Sequence, residues 1–156
     1  MIIDKRPIAY NYSKRKGVIK YIVVHDTGNR GTNAGAVSHY KYFNGGDRRS
    51  SAHYFVEDSN IVECVEVSLA SWHCGDGRGK YGITNDNSIG IEICINPESN
   101  YDMAIAQTRE IIRFLMNTYN IKKENIVRHY DASRKLCPAS MSSDDWAIWK
   151  NFYTSI

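Results

Sequence analysis

The stretch Ser88-Ile89-Gly90-Ile91-Glu92-Ile93-Cys94-Ile95 is the most apolar in the chain, and its reading decides the fold. Isoleucine recurs at every second position, the period of a β-strand. One face therefore carries Ile89, Ile91, Ile93 and Ile95, and the other Gly90, Glu92 and Cys94. Downstream, Asp102 opens a long helix whose buried stripe is Ile111, Ile112, Leu115, Met116 and Tyr119, with Asn120 at its stop. Ile126-Val127-Arg128 is a brief strand ending at His129. Asp144-Asp145 suit the start of a last helix, with Trp146, Trp149 and Phe152 or Tyr153 facing inward.

Upstream, residues 71–87 form a Gly-rich loop too polar for a regular element, and a loop that long in a compact domain is usually functional. Before it, residues 52–57 and 61–67 read as two strands joined by the turn Asp58-Ser59-Asn60. Ala36, Val37, Tyr40 and Phe43 follow helical spacing, capped by Thr32 or Asn33 and stopped by Gly45-Gly46. Residues 17–25, with Ile19, Ile22, Val23 and Val24, form the first strand and end at His25. The first 16 residues are expected to be an irregular arm, with Lys14, Arg15 and Lys16 on a solvated face. The expected fold is α/β: a mixed central sheet of about five strands flanked by helices.

The 156 residues suit one domain over 1–156, since single domains usually run to roughly 100–200 residues. An apolar share of 42%, with eleven Tyr, four Phe and three Trp, excludes a disordered chain. No apolar run approaches the roughly 18 residues needed to span a bilayer, so no membrane insertion is expected. Met1-Ile2-Ile3-Asp4-Lys5-Arg6 places charge where a signal peptide needs apolar residues, so cytoplasmic synthesis is expected. A net charge of +3 suits an anionic polymer but is too small to indicate nucleic acid. A monomer is expected. Of the four cysteines, Cys64 and Cys94 lie in apolar strand-like runs as small core residues, and no CxxC pair suggests a zinc ribbon. Cys137 differs: it sits in a polar, Pro-containing loop eight residues after His129.

His25 and His129 each close a strand, and Cys137 follows in Arg134-Lys135-Leu136-Cys137-Pro138. Two imidazoles and a thiolate make a good zinc set, leaving the fourth tetrahedral position for water. Taken alone, each of the three is more often an ordinary hydrogen-bonded residue than a ligand, and spacing alone does not bring them together. Glu92, inside an apolar strand, is either an edge carboxylate in a salt bridge or a desolvated general base at a cleft. Lys135, two residues before Cys137, is either solvated or placed to stabilise an oxyanion. His53 and His73 are weaker candidates, and His39 reads as structural.

Taken together these segments resemble the type 2 N-acetylmuramoyl-L-alanine amidases, the family of phage endolysins, autolysins and peptidoglycan-recognition proteins. The matching pieces are Tyr21–Thr27, Ser51–Val56, Trp72-His73-Cys74-Gly75, Asn87–Glu92 and His129-Tyr130-Asp131 through Cys137-Pro138, in the family's order. The resemblance implies zinc held by His25, His129 and Cys137, catalysis by Glu92 and Lys135, and substrate contacts from Trp72 and His73. It also implies peptidoglycan as substrate, cut between N-acetylmuramic acid and L-alanine, by an enzyme of phage or prophage lysis acting on the bacterial wall after release. Ala52 stands where some relatives carry tyrosine, which moves the expected proton transfer onto Glu92. Asp131 is a candidate partner for a ligand imidazole. The separate wall-binding domain common in such endolysins does not fit within 156 residues. Two other readings remain: a peptidoglycan-binding module of the same fold that does not cut, and a zinc-free hydrolase using Cys137 with His129.

Overall fold

Alternating isoleucines place residues 88–93 in the interior of a sheet, buried on both faces. A computed structural model describes residues 1–156. In chain order its strands are β1 (Ile3–Lys5), β2 (Tyr12–Lys14), β3 (Tyr21–Asp26), β4 (Tyr54–Val56), β5 (Ile61–Glu63), β6 (Leu69–Ser71), β7 (Ser88–Ile93) and β8 (Ile126–Arg128). Its helices are α1 (Ala36–Phe43), α2 (Tyr101–Tyr119), α3 (His129–Ser133) and α4 (Ser143–Thr154). The main sheet has six strands in the order β1-β5-β4-β7-β3-β8, and β2 pairs with β6 in a separate ribbon. Strands β4, β7, β3 and β8 run parallel, and β5 turns back against β4 through the 58–60 turn.

The five strands expected from periodicity are all present, and β1 adds a sixth. Ile3 of β1 pairs with Ile61 in parallel. Three residues with one half-buried apolar side chain show no period, so only the pairing with β5 makes β1 a strand. The arm is therefore structured rather than irregular. Arg15 is also not on a solvated face: it donates to the carbonyls of Val67, Leu69, Asp86 and Ser88, tying the β2–β6 ribbon to the start of β7.

Because side chains alternate across each strand, the sheet makes two cores. Ile22 and Val24 of β3 and Ile89, Ile91 and Ile93 of β7 pack with Ile111, Ile112 and Leu115 of α2 and with Trp149 and Phe152 of α4. On the other face Phe55, Val62, Cys64 and Cys94 pack with Ala36 of α1. Helix α1 packs mainly on β4 and β5. Beyond it, towards β3 and β8, that face carries His25 and Glu92 and is closed by the 72–87 loop and α3.

Helix ends agree in part with expectation. Asn120 stops α2 in left-handed backbone at φ 52°, and Asn100 caps its start by accepting from the Met103 N–H. For α1 the capping group is not Thr32 or Asn33: the N-cap is Gly35, and Glu57 at the end of β4 accepts from the Ala36 N–H at 2.9 Å. Asp144 and Asp145 do lie in the first turn of α4, but in left-handed backbone with φ 51°. Gly90 is needed for space. A Cβ there would sit 2.5 Å from the His73 ring, so the imidazole lies flush on the strand.

Candidate active site

The carboxyl ends of the parallel strands gather the chemistry, as open α/β sheets do. His25 stands opposite Glu92 in the β3–β7 register, on the same face. Val24 stands opposite Arg128 of β8, so the next residue, His129, leaves the sheet alongside His25. Their ring centroids are 4.5 Å apart. The loop after α3 folds back to bring in Cys137, whose carbonyl accepts from the Tyr130 N–H at 3.0 Å. His25, His129 and Cys137 are all buried, at 2%, 3% and 6% exposure. Their donor atoms lie within 4.8 Å of one another, with Cys137 Sγ 3.7 Å from His25 Nδ1.

The remaining ring nitrogens show which atoms are available. His129 Nε2 lies 2.8 Å from Asp76 Oδ1, and a carboxylate only accepts, so Nε2 carries the proton. His129 Nδ1 is then a bare acceptor, buried with no partner. An orphaned buried acceptor aimed at a thiol and a second imidazole fits a bound cation, and two imidazoles with one sulfur are zinc ligands by type. Asp76 was not foreseen; its only signal was a carboxylate in the long Gly-rich loop. Asp131, a candidate partner of a ligand imidazole or an ordinary surface residue, accepts instead from the Arg128 backbone and guanidinium at 2.9 and 2.7 Å. It closes the turn into α3.

Electrostatics follow burial. Desolvation lowers the pKa of His25 well below its usual value, with His73, His129 and Lys135 adding to the effect. Burial also lowers His129, partly opposed by Asp76, and pushes the Cys137 thiol up to about 12. Both rings are thus neutral, as ligands must be, and the thiol needs a cation to ionise. Glu92 lies 3.9 Å from His25 Nδ1, and because that ring is neutral the contact is not an ion pair. Burial, with Asp26 adding and Lys135 opposing, raises the Glu92 carboxyl to about 8. Its Oε2 has no hydrogen-bond partner.

The other sequence candidates surround an open cleft lined by Arg49, Ser50, Trp72, Asp76, His129 and Lys135. Lys135 is exposed on its rim, without an ion-pair partner. Trp72 is half-buried, its Nε1–H donating to Ser13 Oγ at 2.9 Å. His73 borders the same cleft but is 9% exposed and lies behind His25, with both nitrogens 3.0 Å from protein atoms. His53 is fully buried: its Nδ1 accepts from the Gly90 N–H, and its ring stands edge-on to His73 at 6.0 Å between centroids. His39 stacks on Phe55, consistent with a structural place.

Fold and site together describe an α/β domain in which two histidines and a cysteine that could hold one metal ion converge beside a buried carboxyl. The chain belongs to the N-acetylmuramoyl-L-alanine amidase family, whose profile matches residues 14–140. It is 37% identical over 130 residues to N-acetylmuramoyl-L-alanine amidase XlyA of Bacillus subtilis (strain 168), covering 83% of this chain and 42% of that protein. With N-acetylmuramoyl-L-alanine amidase CwlH of the same organism it shares 36% over 135 residues, 86% of this chain and 53% of that one. It therefore spans about half the length of these curated relatives. Among solved structures, the catalytic domain of XlyA superposes with a TM-score of 0.87 at 33% identity, covering 100% of this chain and 99% of the other. PlyL superposes with a TM-score of 0.85 at 28% identity, over 99% and 96%.

Proposed function

We propose that this domain hydrolyses the amide between N-acetylmuramic acid and L-alanine in bacterial peptidoglycan, using a zinc ion held by His25, His129 and Cys137, as the catalytic part of an endolysin. The observation that carries this reading is the convergence of those three donors within 4.8 Å of one another beside Glu92. Membership of the amidase family supports the bond, and the endolysin and XlyA catalytic domains it superposes on support the setting. No helix is long and apolar enough to cross a membrane.

When bound, the ion supplies Lewis-acid polarisation and acidifies water to a pKa of roughly 7. The rest falls to side chains of this chain. Glu92 takes the proton from water as it attacks the lactyl carbonyl and returns it to the departing alanine nitrogen. A carboxyl whose pKa burial raises towards neutrality in the metal-free protein is suited to both, once a cation beside it favours its ionised form. Lys135, exposed and without an ion-pair partner on the cleft rim, faces the developing oxyanion. Arg49 and Lys135 give the cleft two cations, which suit the carboxylates of the stem peptide, and Trp72 offers an aromatic surface to substrate. A direct attack by Cys137 is disfavoured, because its buried thiol with a pKa of about 12 is not a nucleophile near neutrality.

The test is mass spectrometry of digested peptidoglycan, with turbidity of wall suspensions followed in parallel with and without chelator. New free amines on L-alanine and chelator-sensitive clearing are expected. New reducing sugars would mean a glycosidase, binding without clearing a non-cutting module, and chelator-resistant activity blocked by a thiol alkylator the cysteine mechanism.

A further inference from the structure

The two histidines of the cluster are each held from behind by one short segment, residues 73–76 of the Gly-rich loop. Asp76 takes the Nε2–H of His129, and His73 Nδ1 lies 3.0 Å from Nε2 of His25. The proton positions in this second contact follow from its surroundings. Ser88 Oγ is bonded to the Thr84 carbonyl, which only accepts, so the serine proton points there. Ser88 Oγ is then free to accept, and His73 Nε2, 3.0 Å away, donates to it. His73 Nδ1 is left as the acceptor, and His25 Nε2–H donates to it. The chain from His25 through His73 and Ser88 to the Thr84 carbonyl thus runs in one direction. It leaves His25 Nδ1 as a bare lone pair facing Cys137.

We infer that His73 is a positioning residue for the metal site: it fixes the tautomer and ring orientation of His25 so that Nδ1 is the binding atom, as Asp76 does for His129. This rests on the zinc reading above, and gives His73 a place behind the ligand as well as on the cleft. Three further observations, outside the chain from His25 to Thr84, support it. His73 is buried and its ring stands edge-on to His25 at 5.2 Å between centroids. Gly90 has no side chain where any Cβ would strike that ring. Asn85 Oδ1 accepts from the N–H groups of both His73 and Cys74, pinning the backbone that carries the imidazole. A contact held this closely orients a ligand before the ion arrives, and loss of such partners typically lowers metal affinity by about 10–100-fold.

Two amides separate orientation from mere packing. In His73→Asn the side-chain oxygen falls where Nδ1 lies and can still accept from His25. In His73→Gln it falls where Nε2 lies, towards Ser88, and cannot. Zinc affinity of the purified protein is measured by competition with a chromophoric chelator, and Co2+ is added to read thiolate-to-metal absorption. The expected result is zinc binding weakened about 10–100-fold in H73Q and within about threefold of wild type in H73N. Thermal midpoints of the two metal-free variants should be similar. Equal affinities for H73N and H73Q, or both within threefold of wild type, would overturn the inference while leaving the zinc site intact. If wild-type protein binds neither ion, the zinc reading itself fails.

Discussion

Glu92 keeps one carboxyl oxygen without a partner beside His25, at a place where a strand side chain costs free energy to bury. Glutamine preserves its shape and removes its proton chemistry. Glu92→Gln should abolish turnover while zinc content, measured by metal analysis, stays at wild type; normal turnover would remove the base assignment. Lys135 is the second residue with a separable role. One oxyanion donor is worth about 2.7–4 kcal/mol, so Lys135→Ala should lower kcat by roughly a hundredfold or more, with little change in stability because the side chain is exposed. A loss below about threefold would release Lys135 from the reaction. The residues of the cluster were legible in the sequence by chemical type. Asp76 was not, because an aspartate between two glycines looks like any turn residue until His129 is seen against it.

At the scale of elements, helix α1 depends on a residue 21 positions away. Glu57 accepts from the Ala36 N–H at the helix start, where a carboxylate also meets the positive end of the helix dipole. Glu57→Ala should cost about 1 kcal/mol, read as a lowered denaturant midpoint, and Glu57→Gln less because an amide oxygen still accepts. Sequence reading placed the cap at Thr32 or Asn33 because a cap drawn from another strand leaves no local trace. The same limit applies to β1 and β2, whose three residues are mostly polar and become strands only through their partners β5 and β6. Strands β3 and β7 and helix α2 were legible, since long apolar patterns leave few alternatives.

Across the whole molecule, burial sets the response to acid. His25, His53 and His73 are held neutral by desolvation, with His53 lowered from 6.5 to about 3. In the unfolded chain each titrates near 6.5. Below that pH the unfolded state takes up protons the native state refuses, so stability present above pH 6.5 is lost as pH falls towards the native values. His53 alone should contribute about 1.4 kcal/mol for each pH unit below 6.5. Denaturation of the metal-free protein from pH 7.5 to 5 should show a steep fall in midpoint, made shallower by His53→Gln. An unchanged midpoint would mean the rings protonate in place. Zinc should raise the midpoint in proportion to its binding, and chelator should reverse that gain.

By itself the sequence determined the class of fold and the chemical kinds in the site, because strand alternation, helical stripes and scarce residues such as Cys137 are written locally. Only the tertiary structure decided which donors meet. The distance from His25 to His129 depends on β3 lying between β7 and β8 in register, and no spacing along the chain encodes a parallel register. Which ring nitrogen each histidine offers was likewise decided in three dimensions. It follows from hydrogen bonds to His73 and Asp76, whose partners lie 48 and 53 residues away along the chain.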